Sequence, residues 1–389
     1  MDRARRAWAD RRWHAALAVL ATLAPVGASA CPFCGAVGAT LAMRRDAAAV
    51  TAVGTAAGPV AVTPADGPMQ PFTLLQALRG PPVAREEPVR ARVAAEIAGT
   101  AILFGVDDAS LAPPERRRWQ GVAADEGLIA HVMAAPAVSR PPAARLPYFA
   151  ARLEHPDMAI ADDAFAEFGQ APFAAVVTAA PDLAARPLAD WLADPATDQR
   201  KRGFYGLALG IVIRAGLADG AGGRPSAATL RDAIAGGGDF RAGIDGLMGG
   251  LLVADGTAGL EWLLDRSDPA RPVEQKQLLA ALRFAAEELP AEIPVPRVID
   301  AVARLATSPV TAGEAVVDLA RLGGWDHVDT VAGLWDSVGA DDPHVRRAVA
   351  GFLVACPGER AHDRLERLRR ADPRRLEQAI AAARALRPE

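Results

Sequence analysis

The apolar residues of this chain change period partway along it, and that change constrains the architecture more than any motif. From Asp46 to about Val106 the segments are short and strand-like. Ala48–Gly54 is one, ended by Gly58-Pro59. Phe72–Leu78 is a second, stopped by Arg79-Gly80-Pro81-Pro82. Val89-Arg-Ala-Arg-Val93 alternates with period two, as a half-buried strand does. Thr100-Ala-Ile-Leu-Phe104 is a continuous apolar run between Gly99 and Gly105. Four or five short strands with Gly/Pro turns predict a small antiparallel β-barrel or sandwich.

Ala134–Pro142 is rich in proline and alanine and reads as a linker over 134–145, because proline stiffens the chain and removes backbone donors. Beyond it the period is helical. Asp163–Phe168 sits on a helix entered from Pro156-Asp157, and Lys201–Ile213 makes another. Leu278, Leu279, Leu282 and Ala286 form one stripe of a third over Gln275–Leu289. Val273–Ser308, Val310–Ala340 and Asp341–Asp372 each read as helix, break, helix, with comparable lengths. Asp342-Pro343 offers a cap followed by a proline suited to the first turn. This stretch resembles the opening of a HEAT-type repeat, and His155-Pro156-Asp157 to Phe168 is a looser copy. The resemblance implies a curved helical stack. The Gly-rich stretches 216–224 and 235–238 read as inter-helix loops.

Residues 1–30 have the three parts of a secretory signal. Arg3, Arg5, Arg6, Arg11 and Arg12 form a basic head, an uncharged apolar run starts at Ala15, and Ala28-Ser29-Ala30 supplies small residues for cleavage. The apolar run is shorter than the ~20 residues that cross a bilayer. The expected mature chain starts at Cys31, in an exported location, with no later membrane-spanning segment. Five Arg and two Asp leave with the signal, so the formal charge moves from −4 to −7. An acidic chain argues against a nucleic-acid partner.

Cys31-Pro32-Phe33-Cys34 is the one sharp motif. Two thiols at this spacing can close a disulfide, hold half of a metal site or exchange with other thiols, and lipid attachment at Cys31 is a further possibility. A short helix expected over Val37–Met43 would favour the Cys34 thiolate. Position 35 is Gly rather than the His of haem attachment, and a zinc site needs two more ligands. A thioredoxin-type fold needs a core strand before the motif, where this chain has its signal. The leading reading is a structural disulfide between Cys31 and Cys34. Cys356 reads as a small core residue, and Asp162, Asp163 and Glu167 as a solvated acidic face. His155 with Asp157 reads as a helix entry. No HExxH, GxxxxGK[ST] or GxSxG motif occurs. No catalytic residue, metal site or cofactor is assigned.

The order of segments over 31–106 resembles the netrin-like, OB-type barrel of tissue inhibitors of metalloproteinases, with Arg79-Gly80 and Leu103-Phe104 at matching places. Cys-Pro-Phe-Cys after a signal, Phe72–Gly80, Arg152–Asp157, Asp163–Phe168 and Asp318–Arg321 together resemble a family of exported planctomycete-type bacterial proteins with no known activity. The expected fold is α+β and multidomain: signal 1–30, β-rich OB/netrin-like domain 31–133, linker 134–145 and HEAT-like helices 146–389. The expected function is a non-enzymatic, exported protein-interaction scaffold with a protein partner. The alternative is a thiol-disulfide or metal-handling protein acting through Cys31 and Cys34. A third reading is an inhibitor-like module working through the amine and carbonyl of Cys31.

Overall fold

The computed structural model describes residues 33, 37–64, 67–111, 116–184, 186–217, 226–236, 242–267 and 271–385. The fold is α+β: a small barrel in the N-terminal part and a stack of helices after it.

A first helix, α1 (Leu41–Ala47), precedes the strands β1 (Val50–Ala56), β2 (Ala61–Thr63), β3 (Gly67–Arg79), β4 (Pro88–Arg92), β5 (Thr100–Asp107) and β6 (Arg117–Ala123). The sheet runs β1-β5-β6-β4-β3, and β3 pairs back to β1 to close a five-stranded barrel; β2 extends β3 as a hairpin. The sandwich alternative is thereby excluded. The barrel is also not wholly antiparallel, because β4 and β6 pair in parallel at Ala91–Trp119 and Arg92–Gln120. Two strands went unread in the sequence. β2 is three residues long, and β6 hides in Arg117-Arg-Trp-Gln-Gly-Val-Ala123, which opens on two adjacent charges rather than on an apolar alternation. Arg117 pairs there with Asp107 at 2.8 Å, and Arg118 pairs with Asp108.

The apolar run in β5 is continuous because both of its faces are covered. Ala101 and Leu103 join Phe72, Leu74, Val93 and Trp119 inside the barrel. Ile102 and Phe104 point outward onto Leu128, Val132 and Ile160 of the helical part. Within the barrel, buried Gln70 ties down the loop before β5. Its amide donates to the carbonyls of Gly58 (3.0 Å) and Ile97 (2.8 Å) and accepts from the Ile97 N–H (2.9 Å).

The helical part comprises α2 (Glu126–Ala134), α3 (Pro142–Ala150), α4 (Met158–Gln170), α5 (Phe173–Thr178), α6 (Ala180–Ala184), α7 (Leu188–Ala193), α8 (Gln199–Arg214), α9 (Ala227–Ala235) and α10 (Ile244–Arg266). It continues with α11 (Pro272–Glu288), α12 (Val295–Ala306), α13 (Ala312–Leu322), α14 (Val328–Gly333), α15 (Pro343–Ala355), α16 (Glu359–Ala371) and α17 (Pro373–Arg384). The 134–145 stretch is a packed corner rather than a spacer. Val138 N–H donates to Asp46 at 2.7 Å, and Pro142 opens α3.

α8 and α10 cross at glycines. A Cβ on Gly246 would lie 2.1 Å from the Gly203 carbonyl oxygen, one on Gly210 2.1 Å from that of Gly250, and one on Gly250 2.0 Å from that of Gly206. Only glycine permits backbones this close. α10 has 23 residues and, by length and composition alone, is long and apolar enough to cross a bilayer. Most of its apolar window is buried inside the stack, and it breaks direction at Gly256 (φ 55°, ψ −129°).

The last helices form two layers. α13, α15 and α17 pack side by side on one, with α11 beside α13; α12, α14 and α16 form the other. The expected units over 273–308, 310–340 and 341–372 coincide with the pairs α11–α12, α13–α14 and α15–α16. The α15 cap is as expected: Asp342 accepts from the His344 N–H at 2.7 Å ahead of Pro343.

Candidate functional site

Cys31 and Cys34 lie outside the described residues, but Phe33 between them is described and is buried. Its ring packs edge-on against Phe284 of α11, with centroids 5.1 Å apart, and Phe284 in turn meets Phe173 of α5 at 5.0 Å. Two glycines shape the socket. A Cβ on Gly249 would sit 2.6 Å from the Phe33 ring, and one on Gly203 would sit 3.1 Å from the Phe33 carbonyl oxygen. The N-terminal arm is thus fastened at the α8–α10 crossing, far along the chain from its own position. The helix expected over Val37–Met43 begins later, at Leu41, and its N-terminus is occupied: Leu41 N–H donates to Asp163 at 2.6 Å. That helix end is therefore engaged by a carboxylate from α4.

Asp163 and Glu167 do not form a solvated face. Both are buried, and of the three acids Asp162 alone is half-buried. They reach from α4 to the start of α1 and to α2 and α3. Asp163 also bonds His131 Nε2 of α2 at 2.8 Å, while Glu167 accepts from Thr40 Oγ1 at 2.6 Å and pairs with Arg145 of α3. Tyr148 donates to the His131 carbonyl at 2.8 Å, and the Arg152 guanidinium lies 3.6 Å over the Tyr148 ring. Arg45 donates to the carbonyls of Val132 and Ala135, both at 2.6 Å, and Arg79 donates to the Arg45 carbonyl at the end of α1 at 2.8 Å. Burial pushes the Glu167 carboxyl above its ordinary range despite Thr40 and Arg145. These groups are almost fully partnered with one another, so their chemistry is that of a joint between barrel and helices.

His155 and Asp157 stand at a helix entry, as the sequence indicated: Asp157 accepts from the Ala159 N–H at 2.8 Å. Cys356 is a free thiol, half-buried at the end of α15 beside the core. Among the described residues, no group of three or more His, Cys, Asp or Glu side chains could hold a metal ion.

The open face of α13, α15 and α17 carries a groove. α15 turns Val345, Ala348, Val349, Phe352 and Leu353 inward or sideways and leaves His344, Arg347, Gly351 and Val354 along its outer face at helical spacing. α13 adds Gly313, Val317 and Arg321, and α17 adds Ile380, Ala383 and Arg384. Two cavities, of about 550 and 490 Å³, share Val317, Arg321 and Arg347 and so run into each other.

The two ends of the groove differ in charge. Toward α11, Arg283 bridges to Asp318 (2.7 Å) and Glu314 (3.0 Å), and Arg321 approaches Asp318 at 3.5 Å. Burial pushes the Asp318 carboxyl up, with the two arginines opposing it. Toward α17, the cavity has apolar walls and three arginines, and no carboxylate lines it. The groove escaped sequence reasoning because Arg321, Arg347 and Arg384 are far apart in the chain and each looks like ordinary helix surface.

No family model, curated protein or solved structure matches this chain.

Proposed function

We propose that this protein is an exported, non-enzymatic interaction scaffold whose helical stack presents the α13–α15–α17 groove to a protein partner. The observation that carries this reading is the continuity of the two cavities through Val317, Arg321 and Arg347. A groove with apolar walls and charged edges on adjacent helices is a common form of protein-binding surface. Export rests on the three-part pattern of residues 1–30 and on Cys31 as the expected first residue. The paired helices support a HEAT-like reading of the stack. The strand order β1-β3-β4-β6-β5, closed on β1 and with one parallel pair, supports an OB-type reading of the barrel.

A structural role for Cys31 and Cys34 fits the burial of Phe33 between them better than the thiol-exchange or metal-handling alternative does, because exchange chemistry needs an accessible, movable dithiol.

The test is a photo-crosslinking residue placed at Val354 in the groove, compared with one at exposed Arg367 on α16 of the opposite layer. The scaffold reading expects a discrete protein adduct from position 354 and none from 367 in cells that export the chain. No adduct from 354, or equal adducts from both, would count against it.

A further inference from the structure

We infer that the α15–α17 end of the groove takes an acidic amphipathic segment of a protein partner: apolar side chains on the groove floor and Asp or Glu on the arginines. This rests on the scaffold reading and adds the chemistry of the ligand. The floor is Phe352, Ile380 and Ala348, with Val317 and Val354 39 % and 40 % exposed at its edges. Two large aliphatic side chains left this open on neighbouring helices form an apolar seat of the kind that binding covers.

The charge of the rim selects the partner. Arg347 and Arg384 have no carboxylate within ion-pair distance among the described residues, and Arg321 makes only a 3.5 Å approach to Asp318. All three line a cavity to which no acidic side chain contributes, in a chain that is acidic overall. Arg347 and Arg384, guanidinium groups without a carboxylate partner beside an apolar floor, favour a carboxylate-bearing ligand. They repel a basic one, and unlike charges on the rim speed encounter as well as discriminating between partners. The opposite end of the groove, where Arg283 is already held by Glu314 and Asp318, lacks this selectivity.

The experiment is fluorescence anisotropy on the full mature chain with two labelled helical probes. Both carry leucines at i, i+3, i+4 and i+7; one has glutamates and the other lysines at the remaining positions. The glutamate probe is expected to bind, with affinity falling as salt rises, and the lysine probe is not. Arg347→Glu with Arg384→Glu should weaken the glutamate probe about tenfold while leaving the circular dichroism spectrum and melting temperature unchanged, since both residues are on the surface. Val354→Asp, an independent change to the apolar edge of the floor, should weaken it as well. Equal binding of both probes, or a glutamate probe indifferent to both sets of changes, overturns the inference. If position 354 still yields a protein adduct in that case, the scaffold reading stands and only the acidic chemistry fails. With neither probe binding and no adduct, both fail.

Discussion

The ring of Phe33 meets the ring of Phe284 edge-on, with centroids 5.1 Å apart and planes inclined at 67°. These residues are joined by nothing local in the chain, so their contact fastens the N-terminal arm to the core of the helical stack. Replacing Phe33 by Ala removes a buried aromatic and should cost about 3 kcal/mol of unfolding free energy. Urea unfolding followed by circular dichroism checks this. A loss below about 0.5 kcal/mol would show the arm to be a passenger.

The α8–α10 crossing leaves no room for a side chain. Gly250→Ala places a methyl group 2.0 Å from the Gly206 carbonyl oxygen, so the helices must separate. The expected cost is about 3 kcal/mol or more, at the upper end of overpacking effects. Gly333→Ala is the control, since a Cβ there meets nothing within 4 Å. It should be neutral or slightly stabilising, because alanine is the better helix former. Similar thermal shifts in the two variants would contradict the packing account.

The joint between barrel and helices predicts a pH effect with a definite sign. Burial holds the Glu167 carboxyl above its ordinary value of 4.5, so the folded state binds that proton more tightly than the unfolded chain does. Its contribution to stability is fully present below 4.5 and is lost as pH rises through the raised folded value. The stability of the native protein relative to Glu167→Gln should therefore be greater at about pH 4 than at about pH 7. Paired denaturation curves at the two pH values measure it, and the opposite trend would mean that Arg145 and Thr40 outweigh burial.

Periodicity made the helical layers and most of the barrel legible in the chain. Leu278, Leu279 and Leu282 could be placed on one face, and the β5 run could be recognised as buried, because these patterns depend only on local geometry. Barrel closure was not readable, since it rests on β1–β3 and parallel β4–β6 pairings that set no local signal. Asp163 and Glu167 looked like solvent-facing acids because their partners His131, Leu41, Thr40 and Arg145 come from other helices and the first turns of the chain. The same nonlocality hid the groove. Phe33 carries no local signal either, since a lone aromatic between two cysteines has no periodic apolar neighbour that marks it as core.

Phe33 fastens the N-terminal arm, the α13–α15–α17 groove is the proposed binding surface, and one comparison divides the two roles. The yield of protein adduct from a photo-crosslinker at Val354 would be measured in three backgrounds: otherwise unchanged, Cys31→Ser with Cys34→Ser, and Arg347→Glu with Arg384→Glu. The account predicts that the adduct survives loss of both thiols and disappears on reversal of the two arginines. An adduct that is lost with the thiols and indifferent to the arginines would contradict it, and would move the function to the Cys-Pro-Phe-Cys arm.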